Sequence, residues 1–144
     1  RSDLNGLDVA KKMLVLLRES GEKCELEDIE VQSLIPKSIN SKISIEKFYD
    51  ELKRNEVFFK SKLEKAQSKN EVLRYVASWN GNKAIVKLQS VPISNPFHEI
   101  KKKENILVIK SENYKEVPII IRGPGAGIKV TSAGVFNDLK LILK

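Results

Sequence analysis

Three side chains near the start of the chain have the types and spacing of a small polar site. Asp3, Asp8 and Lys12 fall within the run Asp3-Leu4-Asn5-Gly6-Leu7-Asp8-Val9-Ala10-Lys11-Lys12. Carboxylates beside a lysine are groups of charge recognition and proton exchange. On a helix Asp8 and Lys12 are four apart, so they share a face and can reach each other. Asp3 would stand at the N-terminal end of the same helix, where the dipole favours a carboxylate. Gly6 in the first turn costs about 1 kcal/mol against Ala and opens close access to the backbone. Taken alone, the pattern reads first as an N-cap with a surface ion pair worth about a few tenths of a kcal/mol.

A second stretch is Arg122-Gly123-Pro124-Gly125-Ala126-Gly127-Ile128-Lys129-Val130-Thr131. Glycines ahead of a helix leave bare N–H groups that suit a phosphate, a carboxylate or the edge of a cofactor. The spacing is not the dinucleotide fingerprint G-x-G-x-x-G, and a tight strand-to-helix connection explains it as well. Arg122 takes no assigned role. Cys24 is the only cysteine and His98 the only histidine. A disulfide framework and a zinc site of Cys and His ligands are thereby excluded, and no metal is expected. Cys24, between Lys23 and Glu25, is read as having no chemical role.

Net charge is +7, yet its distribution argues against a nucleic-acid partner. Arginine, the residue best shaped for phosphates and base edges, stands only at positions 1, 18, 54, 74 and 122. The excess is lysine scattered among acids, and the run Lys101-Lys102-Lys103 is followed at once by Glu104. A solvated face accounts for it. No apolar run approaches the roughly 20 residues that cross a bilayer, so no membrane association is expected. The opening Arg1-Ser2-Asp3 carries no signal-peptide character and no initiating Met, which suggests an expression fragment. A single thiol suits a reducing cytoplasm.

The elements that must position these residues follow from periodicity. Residues 4–20 read as a helix with Asp3 as N-cap, an apolar stripe of Ala10, Met13, Leu14 and Leu17, and a stop at Gly21. Residues 26–34 alternate as a half-buried strand that Pro36 ends. Residues 44–68 run helical from a Ser44 cap, with a break near Asn55. Residues 72–79 and 83–91 alternate as strands about Asn80-Gly81, a strong hairpin signal. Asn95-Pro96 breaks the chain; residues 106–109 and 117–121 are further strands, and 131–143 a final helix. Helices first and antiparallel strands second predict an α+β fold, one mostly antiparallel sheet with helices packed on one face.

Together the two end segments resemble homoserine dehydrogenases. Asp3, Gly6, Asp8 and Lys12 spell Asp-x-x-Gly-x-Asp-x-x-x-Lys, which resembles the second half of that family's signature, and Gly123 to Asp138 is similar to its C-terminus. Between them Leu26-Glu27-Asp28-Ile29-Glu30-Val31, Val72-Leu73-Arg74-Tyr75-Val76 and Asn95-Pro96-Phe97 resemble the bifunctional aspartokinase–homoserine dehydrogenases.

The resemblance implies interconversion of L-homoserine and L-aspartate 4-semialdehyde with NAD or NADP, on the route to threonine, methionine and isoleucine. It implies that Asp3 and Asp8 bind the substrate, that Lys12 is catalytic and that Gly127 meets the cofactor. Carboxylates nearby favour a charged lysine, so Lys12 is expected to donate a proton to the developing alkoxide. Residues 1–124 would form the homoserine-binding and dimerisation domain. Residues 125–144 would return to a nucleotide-binding domain expected upstream of Arg1, leaving Val135, Phe136 and Leu139 exposed in its absence. Without that domain the 144 residues are expected to be inactive. A homodimer or higher homo-oligomer in the cytoplasm is implied. The rival is a non-enzymatic amino-acid-binding regulatory α+β module, which would place a ligand at a sheet edge or interface.

Overall fold

The computed structural model describes residues 4–39, 42–101, 104–125 and 127–143. It divides into two compact units, Arg1–Pro92 and Ile93–Lys144.

The first unit opens with helix α1, Leu7–Glu19. Its apolar stripe falls as expected: Ala10 and Leu17 are buried, and Met13 and Leu14 pack beside them. The cap differs from expectation. Gly6, not Asp3, is the N-cap, with a left-handed backbone at φ 81°. The helix therefore starts after Gly6, which escapes the penalty of a glycine inside a turn. Asp3 itself lies outside the described residues.

The strand expected over 26–34 is shorter. Glu25 and Asp28 cap each other about a single 3₁₀ turn, Leu26–Asp28, with the Glu25 N–H donating to Asp28 Oδ2 at 2.8 Å. Such local side-chain bonds offer the backbone an alternative to a ladder. Strand β1 is only Ile29–Val31. Helices α2, Ile45–Arg54, and α3, Glu56–Gln67, then follow, separated at Asn55, whose amide side chain donates to the Glu51 carbonyl at 2.8 Å. Ser44 caps α2 by accepting from the Lys47 N–H.

Strands β2, Val72–Trp79, and β3, Ala84–Val91, form the expected hairpin, antiparallel from Val72↔Val91 to Trp79↔Ala84. Its loop is residues 80–83, one longer than the strand bounds expected, and the Asn80 side chain accepts from the Asn82 and Lys83 N–H groups within it. The sheet order is β1-β3-β2, and β1 runs parallel to β3 with Ile29↔Ala84 and Val31↔Val86. That parallel pair departs from the antiparallel expectation for a simple reason. The α2–α3 segment between β1 and β2 is long enough for a crossover, so β1 can reach the far side of β3. Helix α1 packs on the face carrying Ile29, Ala84 and Val86. Val76 and Val91, which alternate to the opposite face, are also buried, as is Ala66 of the adjoining α3.

The second unit holds strands β4, Glu104–Ile109, and β5, Ile119–Pro124, paired antiparallel from Glu104↔Pro124 to Ile109↔Ile119. Helix α4, Ile128–Ile142, follows. None of the described residues of this unit is buried. The single sheet expected is thus two sheets, since each hairpin pairs with its sequence neighbour on its own side of the Asn95-Pro96 turn. The α+β class holds.

Candidate functional site

Asp8 and Lys12 are brought together as the spacing requires. Lys12 Nζ lies 2.9 Å from Asp8 Oδ2. A residue step of about 100° sets both on the side of α1 opposite the buried Ala10 and Leu17. They are open to solvent, with side-chain exposures of 68% for Asp8 and 53% for Lys12. Burial does nothing to strengthen the pair, so it contributes little to stability. Its value is in being reachable. A carboxylate and an ammonium at one end of a helix can bind a zwitterion's charges, or pass a proton to a reacting oxygen.

The turn that precedes the pair is held from several directions. Asn5 Oδ1 accepts from the Leu7 N–H at 3.0 Å, and the Gly6 carbonyl accepts the first bond of the helix, from the Ala10 N–H at 3.0 Å. The Leu34 N–H donates to the Leu4 carbonyl at 2.9 Å. Tyr75, on β2, donates its hydroxyl to the Gln32 carbonyl. The same ring lies against Gly6: a Cβ there would meet the Tyr75 hydroxyl and sit 2.7 Å from its Cε1. Burial pushes the Tyr75 hydroxyl above its ordinary pKa, which keeps it a donor.

The glycine-rich connection belongs to the second unit. Arg122, left unassigned from sequence, clamps its base: Nη2 and Nε reach Glu104 Oε2 at 2.7 and 3.0 Å, and Nη2 also donates to the Glu99 carbonyl at 2.9 Å. The backbone N–H of Lys101 and the Arg122 guanidinium together hold the Glu104 carboxyl below its usual range. The Asn105 side chain rests on Gly125, where a Cβ would lie 2.5 Å from its Cγ, so any larger residue there requires Asn105 to move aside. Gly127 is the N-cap of α4 at φ 157°, ψ 147°, accepts from the Thr131 N–H at 2.9 Å, and has open space about its Cα.

Burial, aided by the Asp28 carboxylate, pushes the Cys24 thiol pKa up, away from the reactive thiolate. Among the described residues no group of three or more His, Cys, Asp or Glu could hold a metal.

Comparison with known proteins gives this geometry a family. The model of the family described as homoserine dehydrogenase matches residues 1–140. The chain belongs to the homoserine dehydrogenase family. A bifunctional aspartokinase/homoserine dehydrogenase of Buchnera aphidicola is 41% identical over 138 residues, 95% of this chain and 17% of that protein. A homoserine dehydrogenase of Schizosaccharomyces pombe is 36% identical, over 99% of this chain and 39% of its own length. A crystal structure of a Candida auris protein of unknown function superposes with a TM-score of 0.86 at 35% identity, covering 99% of this chain and 40% of that one. The chain therefore spans about a sixth of its bifunctional relative and two-fifths of the shorter one.

Of the homoserine dehydrogenase residues expected from the sequence, Asp8 and Lys12 are in contact. Gly127 belongs to the other unit, and Asp3 lies outside the described residues. Sequence reasoning missed Tyr75, Asn105 and the Glu104–Arg122 pair. Each acts on a residue far along the chain. The one available signal was the pairing of an unexplained glycine with an unexplained polar residue on a strand, and it carries no address.

Proposed function

We propose that this chain is the substrate-side part of a homoserine dehydrogenase that interconverts L-homoserine and L-aspartate 4-semialdehyde with NAD or NADP. The family match across residues 1–140, which includes the Asp8–Lys12 pair, is the observation that carries the reading. Asp8, with Asp3, binds the substrate's ammonium group and orients the hydroxyl-bearing carbon, where a fixed geometry lowers the barrier. Lys12 donates its proton to the carbonyl oxygen as the semialdehyde is reduced, and takes it back from the homoserine hydroxyl in the reverse direction. The nicotinamide cofactor, when bound, supplies or accepts the hydride. Gly127 suits its approach, since the backbone there opens a helix and leaves open space where a side chain would stand. In keeping with the family, residues 125–144 return to a nucleotide-binding domain elsewhere in the enzyme, and the 144 residues alone neither bind NAD(P) tightly nor turn over.

The same reading carries a homodimer or larger homo-oligomer, a cytoplasmic setting and a place in threonine and methionine formation. No described helix is long and apolar enough to cross a membrane.

Lys12→Ala in the intact enzyme tests the assignment. kcat for homoserine oxidation is expected to fall far more than KM rises. A normal kcat with a raised KM would remove Lys12 from the chemistry. Turnover by the purified 144 residues, free of longer enzyme, would overturn the division of labour.

A further inference from the structure

The Asp8–Lys12 pair projects from a turn whose conformation is decided outside its own helix. Gly6 accepts the first bond of α1, and Asp8 follows two residues later, so any movement of Gly6 is handed directly to Asp8. Gly6 stands at φ 81°, a region that L side chains rarely adopt, and the Tyr75 ring fills the space a Cβ would need. Packing alone would be served by phenylalanine. The hydroxyl is there, and it is used: it bonds the Gln32 carbonyl while resting on Gly6.

Gln32 is itself anchored, because its N–H donates to the Val86 carbonyl of the central strand at 2.8 Å. Two residues on, the Leu34 N–H reaches back to the Leu4 carbonyl, just ahead of Gly6. The contacts close a ring. Strand β3 holds Gln32, Gln32 holds the Tyr75 hydroxyl, Tyr75 abuts Gly6, and residues 32–34 return to Leu4.

We propose that Tyr75 is a positioning residue for the Asp8–Lys12 pair: its hydroxyl, bonded to the Gln32 carbonyl and seated on Gly6, keys the first turn of α1 to the sheet. The proposal rests on the reading of Asp8 and Lys12 as substrate-site residues. Tyr75 acts through that pair and touches no reacting atom.

The test uses the intact enzyme and homoserine oxidation with its nicotinamide cofactor. Tyr75→Phe is expected to lower kcat/KM about tenfold, chiefly in kcat, in keeping with the penalty for sub-ångström to ångström misplacement of reacting groups. In an Asp8→Asn background the same change should add less than about a twofold loss, because the group it positions is already disabled. Val91→Ala, a buried truncation on β3 outside the cluster under α1, serves as a control and should lower the melting temperature while leaving kcat intact. An equal fold-loss in both backgrounds, or a lowered melting temperature with kcat/KM unchanged, would make Tyr75 merely structural and overturn the proposal. Should Tyr75→Phe fail to fold, Gly6→Ala presses on the same hydroxyl from the other side and carries the same expectation of non-additivity. Normal kinetics in both Asp8→Asn and Lys12→Ala would instead sink the reading of the site. Losses there with none in Tyr75→Phe would sink the positioning role alone.

Discussion

The two units spend similar apolar sequence in different ways. In the first, α1 lays Ala10 and Leu17 on Ile29, Ala84 and Val86, and these side chains lose nearly all contact with water. In the second, β5 carries Ile119, Ile120 and Ile121 in succession, and all three remain exposed. Consecutive apolar residues on a strand point to alternate faces, so that run asks for cover on both sides of its sheet. Helix α4 repeats the contrast: Val135, Phe136 and Leu139 are each more than half exposed. An element buries its apolar face only against a second layer. The first unit contains its own, and the second leaves its apolar residues facing out.

The contrast can be broken most forcefully in the first unit. Leu17→Ala should destabilise the chain by about 3 kcal/mol, measured by chemical denaturation, since a buried leucine truncation leaves a cavity under α1. A loss below about 1 kcal/mol would mean that the α1 cluster is not the core it is taken to be.

The Glu104–Arg122 clamp ties β4 to β5 in the second unit, and its contribution should depend on pH. The folded carboxyl is held below the ordinary glutamate range, so its stabilisation is complete above that range and is lost as pH falls through the folded value. Wild type should melt above Glu104→Gln at neutral pH, and the gap should narrow as pH falls below the ordinary glutamate range. A gap that stayed constant into acid would show that the carboxylate charge is not what the clamp uses.

Phe136→Ser should change stability by less than about 1 kcal/mol, because the residue is more than half exposed, with the Lys140 ammonium over its ring. It should also reduce self-association in sedimentation, as an exposed apolar stripe is interrupted. A large stability loss would show that α4 is packed on something. Smallest of all, Asp8→Ala should shift stability by about a few tenths of a kcal/mol, as expected for an exposed ion pair. That near-silence matters, because it allows a kinetic effect of Asp8 to be read without a folding effect beneath it.

Periodicity made most of the elements legible in advance. Ala10, Met13, Leu14 and Leu17 recur at helical spacing, and they are the residues that pack on the sheet. The break at Asn55 and the hairpin about Asn80-Gly81 also stand where local chemistry puts them. What misled was chemistry of the same range with a stronger claim on the backbone. The alternation over residues 26–34 is real, yet the Glu25–Asp28 capping box turns its first part into a 3₁₀ turn. Asp3 is a good capping residue, yet the left-handed Gly6 is where α1 begins.

By itself, the sequence determined which side chains could meet along one helix. Four residues make one turn, so Asp8 and Lys12 had to share a face whatever surrounds them. It also carried the family, through motifs at both ends that a model of homoserine dehydrogenases matches as one stretch. Only the tertiary structure decided what holds that face in place. The parallel docking of β1 on β3 brings Gln32 beside Tyr75, and β2 brings Tyr75 beside Gly6, across 43 and 69 residues of chain (75 − 32 and 75 − 6). No local pattern encodes a contact over that span, because it depends on strand order, and strand order depends on where the α2–α3 crossover delivers the chain.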